Sequence, residues 1–96
     1  MDINNLVHDA HYNAIIKGFH EEPRELGTSL MLIVSELGEA LEAHRRGDWP
    51  MVKEEIADVF IRLADFCGEH KINITDEIAR KMKINSGRPA KHGKQY

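Results

Sequence analysis

Two pairs of acidic residues lie about twenty positions apart in the chain, and each pair has a spacing of three. Glu36 and Glu39 occur in "SELGE", and Glu55 and Asp58 occur in "EIAD". On a helix, residues three apart lie on one face, so each pair would place two carboxylates side by side. Oxygen ligands favour Mg²⁺, with Mn²⁺ as a substitute, and Mg²⁺ also binds substrate phosphates. The pattern indicates a cation site for a phosphate-bearing ligand, although a single pair is more often a solvated helix face.

Four carboxylates on neighbouring helices would repel one another. Two charges about 5 Å apart repel by about 3 kcal/mol at an effective dielectric constant near 20. Because a folded domain is stable by only about 5–15 kcal/mol, a divalent cation, a basic partner or altered protonation must relieve this repulsion.

Two other metal sites fit the sequence less well. A di-iron bundle needs Glu-x-x-His on two helices, and the chain contains none. His8 and His11 share a helix face, but no second cysteine or suitable third ligand is evident for zinc. We therefore interpret them as surface or pocket-lining histidines, with His11 as a candidate nucleotide contact.

The elements that must position these residues are helical, because no segment alternates with the period of two typical of strands. We predict helices over about 2–18, from Pro23 or Thr28 to Arg46, from after an Asp48 cap to about His70, and from a cap at Asn73 or Thr75 to about 86. The expected fold is one all-α, four-helix domain over 1–96, with an irregular basic tail at about 87–96.

Apolar periodicity predicts which faces of the second and third helices form the core. The predicted stripes are Leu30, Ile33, Val34, Leu37 and Leu41 on the second helix, and Val52, Ile56, Phe60, Leu63 and Cys67 on the third. The carboxylates lie on adjacent faces. The short connection makes the two helices antiparallel neighbours, so their acidic faces are able to meet.

Composition favours a cytosolic protein. The 96 residues contain 42% hydrophobic and 30% charged residues and a single cysteine, Cys67, which excludes an internal disulfide. The first residues do not resemble a secretory signal, and the longest apolar run, "LMLIV", is far too short to cross a bilayer. We therefore expect no membrane association.

Charge is distributed unevenly along the chain. All sixteen acidic residues and seven of the thirteen Lys and Arg residues lie in 1–78, whereas 79–96 hold six cations and no acid. Three interpretations fit such a basic tail. It binds nucleic acid, it binds a small polyanion that a metal holds on the acidic residues 1–78, or it is a solvated terminus. Nucleic acid is the less favoured partner, because the acidic body would repel it and the tail contains only one aromatic ring, Tyr96.

Several motifs together resemble the MazG-like all-α nucleoside triphosphate pyrophosphohydrolases, in particular their small, often phage-borne members. "SELGE" (35–39) and "EIAD" (55–58) match the acidic motifs of the family, and "KMKINSGRPAKHGK" (81–94) is similar to its basic segment. "NAIIKGF" (13–19) and "EALEAHRRGD" (39–48) extend the resemblance over nearly the whole chain. One position departs from the pattern: Ser35 stands where the family has its first glutamate, which leaves the general base open.

The resemblance implies Mg²⁺-dependent hydrolysis of a nucleoside triphosphate, with a deoxyribonucleotide expected, to the monophosphate and pyrophosphate. It implies a dimer or tetramer in a bacterial or phage-infected host cytosol. The implied metal ligands are Glu36, Glu39, Glu55 and Asp58, with Glu39 and Glu36 as the catalytic carboxylates. The implied phosphate contacts are Lys81, Asn85, Arg88 and Lys94. The candidate base-pocket residues are Asn13, Ile16, Phe19 and Trp49, although plain core packing is the favoured interpretation of Phe19 and Trp49. The alternatives are a non-catalytic nucleotide- or nucleic-acid-binding helical module and a relative that has lost turnover.

Overall fold

The computed structural model describes residues 1–88, and this part of the chain is all-helical with no strand. Its four helices are α1 (Ile3–Ile16), α2 (Leu26–Arg45), α3 (Trp49–Glu69) and α4 (Ile74–Ser86). The all-α prediction is confirmed, and every predicted helix is present with ends shifted by a few residues. Residues 89–96, most of the predicted basic tail, lie outside the described residues.

Side chains cap the N-terminus of every helix. Asp2, Asp48 and Asn73 each accept a hydrogen bond from the backbone N–H three residues later, as is usual for such caps. The sequence predicted the cap at Asp48, and it named Asn73 as one of two candidate caps for α4. It did not predict Glu25, whose carboxylate accepts the N–H groups of Gly27 and Thr28 at 2.9 Å. These backbone hydrogen bonds lower the pKa of Glu25.

Helix α3 is the central element, since it packs against both α2 and α1, and α4 packs on α1. Arg62 of α3 reaches back to Glu36 of α2, which shows the predicted antiparallel arrangement of these two helices. At the far end of the molecule, the Thr75 hydroxyl of α4 donates to the Asn4 side chain of α1 at 2.8 Å.

Small side chains dominate the buried core. The buried apolar residues are Ala10, Ala14, Ala40, Ala43 and Ala64, together with Ile33, Val59 and Cys67. Alanine lets helix backbones approach closely, so the helices contact one another through their small residues.

The predicted core stripes are therefore largely wrong for the single chain. Leu30, Val34, Leu37 and Leu41 remain 41–50% exposed, and Phe60 remains 60% exposed. Ile33 of the predicted α2 stripe is buried, together with Ala40 and Ala43, which were not part of that stripe. The buried face of α2 also carries Glu36, so the acidic groups lie beside the helix–helix contact.

No helix within residues 1–88 is both long enough and apolar enough to span a membrane.

Candidate active site

Three of the four predicted metal ligands converge between α2 and α3. Glu36, Glu39 and Glu55 each offer a carboxylate oxygen, and these oxygens all lie within 4.8 Å of one another. The antiparallel packing of the helices places Glu55 opposite the two α2 residues. Oxygens around an octahedral Mg²⁺ at 2.0–2.1 Å are about 3–4 Å apart. The three carboxylates, which we call the acidic cluster, therefore fit such an ion.

Glu55 is the electrostatically unsatisfied member of the acidic cluster. Its Oε2 atom is buried, and no donor among the described residues reaches it. Burial raises the pKa of Glu55 to about 7, assisted by hydrogen bonding of its protonated form to Glu36 and Glu39 and by their negative charge. A carboxyl group in this situation either retains a proton near neutral pH or exchanges it for a cation.

Arg62 supplies a cation that the sequence interpretation did not assign. Its Nε donates to Glu36 Oε1 at 2.8 Å, and the Glu36 side chain is only 12% exposed. Arg62 follows Glu55 by seven residues on α3, a spacing that returns to the same helix face. This spacing was the signal available in the sequence. The guanidinium partly balances the acidic cluster but does not reach the buried oxygen of Glu55.

Two further residues of the acidic motifs lie outside the cluster. Asp58 is exposed on α3, one turn after Glu55, and is not among the carboxylates that converge. Ser35 is also exposed, and its hydroxyl donates to the Leu32 carbonyl of its own helix at 2.7 Å. The structure therefore gathers three carboxylates rather than the predicted four.

The predicted phosphate contacts lie on a different part of the molecule from the acidic cluster. Lys81 and Asn85 are exposed on α4, which packs on α1, and Arg88 follows that helix. Lys94 lies outside the described residues.

The candidate base-pocket residues are all exposed. Asn13 and Ile16 lie near the end of α1, Phe19 follows that helix, and Trp49 begins α3. Ile16, Phe19 and Trp49 are 60–63% exposed, so plain core packing of the two aromatic rings is wrong for the single chain.

A small cavity of about 20 Å³, partly open to solvent, lies between α2 and α3. It is lined by Arg24, Ser29, Ile33, Arg62, Asp65, Phe66 and Glu69. Arg62 links this cavity to Glu36. None of the candidate base-pocket residues lines it.

A second polar cluster borders the same cavity, where α1 meets α3. Asp65 contacts both His11 and His20. The sequence interpretation considered His11 together with His8 and found no third ligand. In the structure His8 is exposed beside Asp9, and His11 has different partners. Sequence spacing does not reveal this group, because Asp65 is more than forty residues from either histidine.

These features define an all-helical chain with a convergent acidic cluster. No family model, curated protein or solved structure matches it. The MazG-like assignment therefore stays a prediction.

Proposed function

We propose that this protein hydrolyses a nucleoside triphosphate to the monophosphate and pyrophosphate, using Mg²⁺ bound at the acidic cluster. A deoxyribonucleoside triphosphate is the proposed substrate. The observation that carries the proposal is the convergence of Glu36, Glu39 and Glu55, with a buried Glu55 oxygen that no donor within residues 1–88 reaches.

The members of the cluster differ in their surroundings, which suggests different roles. Glu36 is held in place by Arg62, and Glu55 is partly buried, so both suit metal ligation. Glu39 is exposed, and we assign it the role of orienting and deprotonating the attacking water. Mg²⁺ at this position would lower the pKa of a bound water and neutralise charge on the triphosphate.

Asp58 completes the proposed ligand set. It lies one turn from Glu55 on α3, so its carboxylate projects from nearly the same side of the helix. A change of side-chain rotamer would bring it towards the cluster when a cation balances the added negative charge.

The triphosphate would be held by Lys81, Asn85, Arg88 and Lys94. Lys81 and Asn85 are four residues apart and share a face of α4. An arginine at position 88 suits a bidentate phosphate contact. Asn13, Ile16, Phe19 and Trp49 remain the proposed base-pocket residues. Their exposure means that substrate or another copy of the chain would have to cover them.

We propose that the protein is a homo-oligomer, either a dimer or a tetramer. The predicted core stripes of α2 and α3 remain largely exposed, and large apolar side chains are rarely left uncovered over two whole helix faces. An assembly would also let α4 of one copy approach the acidic cluster of another. The proposed location is the cytosol, where nucleoside triphosphates and reduced thiols both occur.

The activity is tested by incubating the protein with a panel of dNTPs and NTPs, with Mg²⁺ or with EDTA, and separating the products by ion-exchange chromatography. We expect metal-dependent release of monophosphate and pyrophosphate. Diphosphate with orthophosphate would retain a metal site but refute the reaction. No product from any nucleotide would favour a binding protein or an enzyme that has lost turnover.

Glu39→Gln and Asp58→Asn test the assigned residues. Each should lower turnover by at least about 100-fold. Loss of a group that only supports a metal ligand lowers activity by about 10–100-fold, and loss of a ligand itself should lower it further. Circular dichroism should show that helix content is retained. Glu42→Gln is the matched control, because Glu42 is an exposed carboxylate on the same helix that pairs with Arg45. Near-wild-type rates in both test variants would refute the assignment.

Sedimentation velocity tests the assembly. We expect a species larger than the 11.0 kDa chain at micromolar concentration. Phe60→Glu should shift it towards monomer if the exposed α3 stripe is the interface, whereas Tyr12→Glu on the exposed face of α1 should not. A wild-type protein found only as an 11.0 kDa species would contradict the proposal.

A further inference from the structure

Two histidines and an aspartate meet where α1 packs on α3. Asp65 Oδ1 lies 2.9 Å from His11 Nδ1 and 2.8 Å from His20 Nε2, and Asp65 Oδ2 lies 3.0 Å from the same His20 nitrogen. One ligand-type atom from each residue lies within 4.8 Å of the other two. We call these three residues the histidine cluster. It offers two nitrogen donors and one oxygen donor, unlike the all-oxygen acidic cluster.

Close packing of the helices fixes the position of His11. A Cβ atom placed on Gly68 would lie 2.6 Å from the His11 Cβ, so only glycine allows α1 to approach α3 this closely. The side chains of the three residues are only 17–26% exposed. The cluster is thus assembled by the tertiary fold in a partly desolvated place, where an ionic ligand set is held more rigidly than on an open surface.

Glu69 adds an outer partner to His20. Its Oε2 lies 3.4 Å from His20 Nδ1, while the other ring nitrogen of His20 faces Asp65. Both nitrogens of this ring therefore face carboxylates. A metal-binding histidine commonly donates its second N–H to a carboxylate, which fixes the tautomer and the ring orientation. His20 already has this arrangement, with Nε2 at the cluster and Nδ1 towards Glu69.

We propose that His11, His20 and Asp65 bind a divalent transition-metal ion of the Zn²⁺ class, with Glu69 supporting His20. Imidazole nitrogen with one carboxylate suits Zn²⁺ and Co²⁺, whereas Mg²⁺ takes oxygen ligands. Ligands of a tetrahedral Zn²⁺ at 2.0–2.1 Å are about 3.3 Å apart. The present separations of 2.8–3.0 Å are shorter. On metal binding, the ion would take the place of the ring protons that lie between the histidine nitrogens and Asp65. The three side chains would move slightly apart.

The remaining coordination position would face the cavity described above, because Asp65 and Glu69 both line it. Water or a small anion is the expected fourth ligand, and Arg24 and Arg62 line the same cavity. The proposed site uses different residues from the acidic cluster, so it does not depend on the proposed hydrolase activity.

Co²⁺ titration of the full chain tests the site, in excess Mg²⁺ to occupy the acidic cluster. Tetrahedral Co²⁺ with nitrogen ligands gives a visible absorption that octahedral Co²⁺ gives only weakly. We expect the absorption to saturate at one equivalent per chain and to disappear when Zn²⁺ is added. Glu69→Gln should weaken binding by about 10–100-fold, as is usual for a group that supports a ligand, and His20→Ala and Asp65→Asn, which remove proposed ligands, should each weaken it by at least about 100-fold. His8→Ala is the matched control, because His8 is exposed and lies outside the cluster.

A measurement on the unmodified protein guards against variants that fail to fold. The chain contains six histidines, whose ring proton resonances can be followed by NMR during Zn²⁺ titration. We expect the His11 and His20 resonances to shift together at one equivalent, before those of exposed His8. Equal shifts of all the histidines, no shift at all, or Co²⁺ absorption that survives His20→Ala would overturn the proposal. The last two results would leave Asp65 simply hydrogen-bonded by two histidines.

Discussion

The acidic cluster and the histidine cluster each hold a partly buried carboxylate of α3, but the side chains around the two carboxylates differ. At the N-terminal half of α3, Glu55 meets two more carboxylates, and its inner oxygen has no donor among the described residues. Near the C-terminal end, Asp65 meets two imidazoles, and both of its oxygens have a hydrogen-bond partner. The first cluster is stabilised by adding a proton or a cation, whereas the second is already satisfied.

This difference in surroundings predicts that the acidic cluster and the histidine cluster prefer different metal ions. An acidic cluster with excess negative charge attracts a hard cation that takes oxygen ligands, such as Mg²⁺. A histidine cluster binds metal only by giving up ring protons, which favours an ion that forms strong bonds to nitrogen. Asp65 lines the cavity between α2 and α3, and Arg62, which also lines it, pairs with Glu36 of the acidic cluster. Three predictions separate the contributions of the two clusters to stability.

Gly68→Ala should have the largest effect, and it should act on the histidine cluster. The added methyl group would meet the His11 Cβ at 2.6 Å, so α1 or α3 must shift. Overpacking of this kind costs about 1–3 kcal/mol. Urea unfolding followed by circular dichroism would measure the loss, and weakened Co²⁺ binding would show that His11 has moved.

Gly38→Ala is the control, because a Cβ at Gly38 meets nothing within 4 Å. Alanine inside a helix is more favourable than glycine by about 1 kcal/mol, so this variant should be more stable than wild type. Equal stability losses for the two variants would contradict the close α1–α3 contact. A loss for Gly38→Ala alone would indicate that another copy of the chain covers that position.

Glu55 should make the metal-free protein less stable as pH rises, which is a test of the acidic cluster. Its pKa is 4.5 when unperturbed and about 7 in the folded chain. Between these values the folded state holds a proton that the unfolded state has released, so the contribution of Glu55 to stability is present below about pH 4.5 and is lost as pH rises through about 7. Thermal unfolding in EDTA across this range would measure the slope.

Glu55→Gln should remove that part of the pH dependence, because the amide does not titrate. Glu54→Gln, a change at an exposed neighbour, should retain it. If wild type and Glu55→Gln showed parallel curves, the acidic cluster would not hold the proton that its geometry requires.

Arg62→Met should have the smallest effect of the three, about 1 kcal/mol. It leaves the largely buried Glu36 carboxylate without its guanidinium, while methionine retains much of the side-chain packing. Arg45→Met is the matched control, since Arg45 and Glu42 are both more than 60% exposed and their pair should contribute little. Chemical denaturation would compare the two, and equal losses would show that Arg62 has no special role in balancing the acidic cluster.

The sequence by itself determined the helices and the pairing of acidic residues along two of them. Helical periodicity and cap residues such as Asp48 act over a few residues, so local chemistry was sufficient to predict α3 and its start. The spacing of Glu36, Glu39, Glu55 and Asp58, with one short connection between their helices, likewise indicated that the acidic faces are able to meet. Adjacent antiparallel helices leave few other arrangements.

Only the tertiary structure decided which helix faces are buried and which distant residues meet. Leu37 and Ala40 both belong to apolar faces of α2, and periodicity does not say that the alanine side turns inward. Asp58 lies outside the acidic cluster, although its spacing from Glu55 places both on one side of α3. His11 and Asp65 meet where Gly68 lets α1 lie directly on α3, a contact between residues far apart in the chain. Local patterns describe each helix, but close packing between helices selects the partners.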